Sequence, residues 1–192
     1  MTTAFIVGNG RSREGFDLRF LKPYGTVYGC NLLFTEYPNF EIPDFTVSIE
    51  DYRKEMIREA GFPEDRCIFP PEHEQYELEG YNGPSSIRSN AGMNAMAEAI
   101  KAGNTRLYLL GFDFMYNSIQ SISNMFDGDK KVRTTMTDSQ KRCHYFDWYA
   151  RDNPNIHFRF VFDELHEGFH QLSATNADGI FYNTLMKELE ND

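Results

Sequence analysis

Cysteine is scarce in this chain: Cys30, Cys67 and Cys143 are odd in number, far apart and free of any CxxC spacing. That pattern excludes a disulfide framework and a cysteine zinc site, and reads as three reduced, mostly buried thiols. No run approaches the roughly 20 apolar residues that cross a bilayer, so no membrane span is expected. Residues 1–7 enter a strand pattern directly, without a basic segment or a cleavage site, which reads as a cytoplasmic protein. Positive charge is also short. There are 19 Lys and Arg against 29 Asp and Glu, a formal net charge of −10. Such a balance repels a phosphate backbone and argues against nucleic acid as a partner, while leaving room for a local basic patch. Internal repeats, low-complexity tracts and Pro/Ser-rich linkers are missing, so residues 1–192 are read as one domain.

What is present suits a sizeable core: 192 residues with 41% hydrophobic content. Aromatic residues reach 15%, with 17 Phe and 11 Tyr. That is more than a packed interior requires, so some rings are expected at a pocket or an interface, and a homodimer is compatible with them. Short apolar runs predict strands over residues 4–7, 26–30, 45–49, 67–69, 106–110 and 157–162. Between them, helical spacing predicts helices over 52–60, 91–102 and 138–151, with a last one over 180–189. Alternation of strands and helices implies an α/β domain of three layers, a mostly parallel sheet of about six strands covered on both faces. In such sheets ligands sit beyond the carboxyl ends of the strands, which turns strand assignment into site prediction.

Four strand ends carry the chemistry. The first opens into Gly8-Asn9-Gly10-Arg11-Ser12, where glycines let backbone N–H groups approach an anion and a following helix would add partial positive charge. The GxGxxG dinucleotide fingerprint is not met, because the third glycine comes late at Gly15 and the second strand ends in Cys30-Asn31 instead of an acid. The Lys-Ser/Thr of a P-loop is absent as well. Asn31 offers an amide for a base, ribose or phosphate. Glu50 and Asp51 after the third strand, with Asp113 in Gly111-Phe112-Asp113-Phe114, are candidates to hold Mg²⁺ or an acceptor; otherwise Asp51 caps a helix and Asp113 anchors a loop. In Arg88-Ser89-Asn90-Ala91-Gly92, Arg88 supplies a fork for phosphate and small residues open the next helix.

Together these segments resemble the bacterial sialyltransferases of the Campylobacter lipooligosaccharide type and, more loosely, the MptE-like proteins that include archaeal hydroxymethylpterin diphosphokinases. The former carry Gly-Asn-Gly-Pro-Ser, Cys-Asn, Arg-x-x-Ser-Gly and Gly-Ile-Asp-Phe in that order. Here Gly8–Ser12, Cys30-Asn31, Arg88–Gly92 and Gly111–Phe114 stand in their places, over roughly residues 4–117. The resemblance implies a Rossmann-like domain binding a cytidine nucleotide sugar, with Gly8, Asn9, Gly10, Ser12, Asn31 and the segment from Asn90 to Gly92 on the nucleotide. The chain departs from that family at several points, among them a short acceptor-binding lid of about twenty residues between Asn117 and Thr137. Glu50 replaces an Asn at the third strand end, Met115 replaces a Tyr, and Arg133 stands where the general-base His is expected before Thr137-Asp138.

His166-Glu167-Gly168-Phe169-His170 spells HExxH, which on a helix would make His166 and His170 zinc ligands and the chain a zinc hydrolase. Gly168 in its middle and the strand directly before it argue against that helix. The sequence therefore points to a nucleotide- or nucleotide-sugar-binding protein of glycosyltransferase type. The phosphates fall to residues 8–12 and Arg88; the nucleoside falls to Asn31 and Asn90; Ser89 and Gly92 complete the nucleotide site; and Asp51 is nominated as the base. A Mg²⁺-dependent diphosphate transferase and a binding-only relative are the alternatives.

Overall fold

The structure is a computed structural model that describes residues 2–70, 90–116, 125–126, 136–163 and 170–191. Of the residues singled out above, Arg88, Ser89, Asn117, Arg133, His166, Glu167, Gly168 and Phe169 lie outside the described residues.

Seven strands form one sheet: β1 (Thr3–Val7), β2 (Thr26–Cys30), β3 (Phe45–Val47), β4 (Cys67–Ile68), β5 (Arg106–Leu110), β6 (His157–Phe162) and β7 (Ala177–Phe181). Their order is β4-β3-β2-β1-β5-β6-β7, and every neighbouring pair is parallel. Four described α-helices accompany them: α1 (Asp51–Glu59), α2 (Ala91–Lys101), α3 (Met136–Asp152) and α4 (Tyr182–Asn191). The result is a Rossmann-like α/β fold. No helix among the described residues is long and apolar enough to cross a membrane.

The strand β1 shows why the sheet is covered twice. Successive side chains point to opposite faces, so Ala4 and Ile6 enter one core with Met93 and Met96 of α2 and Phe146 and Tyr149 of α3. Phe5 and Val7 enter the other, with Leu18, Leu21 and Leu185 and Leu189 of α4. These four side chains are fully buried, and Thr3 at the start of β1 is half-buried. An unbroken apolar run is what a strand covered on both faces needs. Many of the aromatic rings pack inside: Phe146, Phe158 and Phe160 meet edge to face, and Phe112 and Phe114 extend the chain of contacts. Tyr52 and Phe181 are the large aromatic side chains left exposed among the described residues.

Two sequence expectations change here. The sheet has seven strands, and residues 180 and 181 close β7 before α4 begins. The strand Ala177-Asp178-Gly179-Ile180-Phe181 lacks an apolar run because it is an edge, with Ile180 its buried side chain. Backbone pairing to β6 holds it, and so does Arg159, which lies opposite Asp178 and bonds its carboxylate at 3.0 Å. Second, no α-helix follows β1. The chain instead makes two short 3-10 turns, Arg11–Arg13 and Leu18–Leu21, separated by Gly15 at φ +86°. Asp17 caps the second turn by accepting from the Arg19 N–H. A three-residue turn has no macrodipole to offer a phosphate.

The cysteines are unpaired thiols, as expected, with Cys30 and Cys143 buried. Burial pushes both thiols up to about 12, so neither is a nucleophile at neutral pH.

Candidate functional site

Chain direction across the sheet reverses at β1: β2, β3 and β4 lie on one side of it and β5, β6 and β7 on the other. In doubly wound sheets the crevice opens at that reversal, beyond the carboxyl ends. Here those ends are the turn after β1 and the turn after β5, and the two are locked together. The Gly8 N–H donates to Leu110 O at 2.8 Å and the Gly10 N–H to Gly111 O at 3.0 Å. A Cβ on Gly8 would lie 2.7 Å from Gly111 O, and one on Gly10 would lie 2.4 Å from the Asp113 carboxyl carbon. Both glycines are thus required by the approach of one strand end to the other, whatever the ligand. Asp113 completes the lock, accepting from the Ser12 N–H at 3.1 Å and from the Ser12 hydroxyl at 2.5 Å while almost wholly buried.

Beside this lock lies a residue that the sequence reading passed over. Arg13 is buried, donates from Nε to Gly8 O at 2.7 Å, and forks onto Glu36 at 2.9 and 2.6 Å. Arg11, two positions earlier, points outward and pairs with the exposed Glu14. Composition cannot tell two arginines in one turn apart; the direction of the backbone decides. The N–H groups of Gly8, Gly10 and Ser12 are therefore engaged by the fold, and those of Asn9 and Arg11 are the donors of this turn without a partner among the described residues. The Asn9 carbonyl accepts from the Met125 N–H at 2.9 Å, and its side-chain oxygen is buried without a hydrogen bond.

At the end of β2, Asn31 sits in the left-handed region at φ +54°, which an amide side chain tolerates better than most. It is fixed from three directions by β3. Its N–H donates to Val47 O, its carbonyl accepts from the Thr46 hydroxyl, and its side-chain oxygen accepts from the Ser48 hydroxyl at 3.0 Å. The amide nitrogen of that side chain is left to donate. Ser48, fully buried, is a second residue that the sequence reading missed, although Thr46 and Ser48 share one period-2 face.

The three carboxylates expected to hold a metal or an acceptor stand in different surroundings. Glu50 is the N-cap residue of α1 without capping through its side chain. Asp51 opens the helix with its side chain 94% exposed and paired to Lys54 at 2.9 Å. Asp113 is buried in the lock, and no group of three or more His, Cys, Asp or Glu side chains among the described residues could hold a metal ion. At the start of α2, Asn90 is the N-cap, its side chain accepting from the Met93 N–H at 3.1 Å. Gly92 is small because Phe112 lies over it, 2.8 Å from where a Cβ would stand.

The ends of β5, β6 and β7 gather a second polar group. The Tyr116 hydroxyl donates to the Asp163 carboxylate at 3.1 Å and accepts from the Asp163 N–H at 3.3 Å. The Tyr182 hydroxyl is buried without a hydrogen bond. Burial pushes both phenols well above the usual tyrosine range, with the Asp113 and Asp163 charges adding to it. Asp163 stands directly after β6, so the strand-end rule that found Asp113 also reaches it. His170 lies in coil, not on a helix, and its N–H donates to Met115 O. It lines an apolar cavity of about 260 Å³ with Phe160, Phe162, Leu172 and Ile180.

No family model matches the chain, and no curated protein matches it. Among solved structures, it resembles the MAf glycosyltransferase from Magnetospirillum magneticum AMB-1, with a TM-score of 0.55 and 17% identity. The two share a fold. The match covers 93% of this chain and 33% of that one, so the chain spans about a third of the length of the solved glycosyltransferase. Likeness at this identity speaks for the arrangement of the sheet and not for any ligand.

Proposed function

We propose that this chain binds a nucleotide or nucleotide sugar across the ends of β1, β2 and β3, and that it works in glycosyl transfer. The observation that carries the reading is the placement of Asn9 and Asn31 after the adjacent strands β1 and β2, with Asn90 capping the helix α2 that packs on β1, β2 and β3. Asn31 in particular is held by Thr46 and Ser48, and its amide donor has no partner among the described residues. A fixed amide donor suits a nucleobase or ribose, and the Asn9 and Arg11 N–H groups suit a phosphate. The fold shared with a glycosyltransferase supports the reaction class.

For the acceptor, Asp163 is a better base than Asp51. It is held by Tyr116 at the crevice side of β6, whereas Asp51 stands in water beside Lys54. A base must lie within hydrogen-bond reach of the hydroxyl it deprotonates, in a site that excludes water. The exposure of Asp51 also favours a second reading, binding without transfer, which D163N separates: it abolishes turnover in an enzyme and changes nothing in a binder.

Thermal unfolding with CMP, CDP, CTP, UDP, GDP and ATP, each with and without Mg²⁺, tests the reading. A ligand specific to the folded state adds about 2.7 kcal/mol at a hundredfold excess over Kd. The expected result is a shift with one nucleotide class that ignores Mg²⁺. A shift with ATP that requires Mg²⁺ moves the reading to a diphosphate transferase, and no shift at all ends it.

A further inference from the structure

Most of the shielded guanidinium groups of this protein are saturated by the fold. Arg13 forks onto Glu36, Arg159 bonds Asp178 and Glu188, and Arg66 donates to the carbonyls of Phe40, Pro43 and Asp44. Arg53 is different. Its side chain is only 15% exposed, yet its Nε is buried without a hydrogen bond, and its ion pair among the described residues, to the half-exposed Glu50, is long at 4.0 Å. A shielded guanidinium held only by a long ion pair to a half-exposed carboxylate keeps donors free for an anion that comes from outside the fold.

Its position names the place. Arg53 is in the first turn of α1, and only Ile49 and Glu50 separate that helix from Ser48, which holds the Asn31 side chain. Residues four apart share a helix face. Ile57, one turn on, is fully buried in a cluster with Leu32 and Phe34, which follow Asn31 closely. The face that carries Arg53 therefore turns toward the end of β2. The guanidinium carbon lies 4.9 Å from the centre of the Tyr52 ring, a contact that steadies the group and leaves its N–H edge to donate.

We propose that Arg53 binds an anionic group of the ligand, a phosphate or a carboxylate, beside the Asn31 amide at the ends of β2 and β3. This rests on the nucleotide reading for the rest of the ligand and adds to it a second charged contact, away from the turn after β1. It also reverses the expectation for this strand end: Glu50 and Asp51 face solvent, and the shielded charge is positive.

The test uses R53Q and R53K in thermal unfolding and titration with pyrophosphate, malonate and CDP. Without ligand, R53Q should melt close to the wild type, because it loses only the contact with the exposed Tyr52 ring and the long ion pair to Glu50. Pyrophosphate or malonate should protect the wild type, the stronger of the two identifying the group as phosphate or carboxylate. Affinity should fall at least about tenfold in R53Q, as for loss of a hydrogen bond to a charged group, and be partly kept in R53K. Unchanged anion affinity in R53Q, or a clear loss of stability without ligand, overturns the proposal. If CDP protects wild type and R53Q alike, the nucleotide reading stands and this inference falls. If the anions protect through Arg53 but no nucleotide does, the reverse holds. If nothing protects the wild type, both fall.

Discussion

The junction of β1 with β5 and the junction of β2 with β3 lie side by side on one edge of the sheet, and they treat polar groups in opposite ways. At the first, glycines bring two strand ends into backbone contact, Asp113 takes up the N–H and hydroxyl of Ser12, and Arg13 is closed by Glu36. At the second, Asn31 is gripped by its oxygen with its nitrogen open among the described residues, and Arg53 is shielded with only a long ion pair to Glu50 and no hydrogen bond at its Nε. A buried group that the fold satisfies is structure. A buried group that the fold positions and leaves unsatisfied is the better candidate for binding.

Mutations that separate stability from binding put this contrast at risk. The largest effect is expected for R13M, which leaves the Glu36 carboxylate facing an apolar chain. Breaking a buried ion pair costs about 3–5 kcal/mol, and since Glu36 retains some contact with water, about 3 kcal/mol is expected in urea unfolding. G10A should come next. Its methyl group would collide with Asp113 and Gly111 O, for a loss of about 1–3 kcal/mol by overpacking, and a neutral result would mean that the close approach does not require glycine. D113N keeps the shape and removes the charge behind two hydrogen bonds, so about 2 kcal/mol is expected. The smallest change belongs to N31G. Glycine accepts φ +54° without strain, and one neutral hydrogen bond to Ser48 is lost, about 1 kcal/mol or less. Nucleotide affinity should nevertheless fall most in N31G. If N31G binds normally while G10A loses binding beyond its loss of stability, the two junctions exchange roles: the first binds and the second is structure.

The sequence was readable where hydrophobic pattern decides structure. The strand over 26–30 and the strands over 106–110 and 157–162 are observed with those bounds, and the helix predicted over 91–102 ends one residue sooner. Pattern is informative there because each such segment buries apolar side chains on a sheet covered twice. It failed at β7, where register and the Arg159–Asp178 pair do the work of a core. It also failed after β1, where a helix was expected to follow the glycine turn and the chain makes 3-10 turns. At the site, residue types at strand ends were legible and their allegiance was not. Gly8, Gly10, Ser12 and Asp113 stand in the right place but serve each other, a fact that depends on contacts spanning 101 residues of chain. Arg53 and Asp163 stood beside residues that were chosen, and only burial and bonding distinguish them.

Amide hydrogen exchange with and without the nucleotide that gives the largest thermal shift tests most directly whether the ligand sits across the ends of β1, β2 and β3. New protection is expected at residues 9–11, 31–34, 48–54 and 90–94, the rims of β1, β2, β3 and α2. Protection confined to the segments around β6 and β7, or spread evenly over the chain, would contradict that placement.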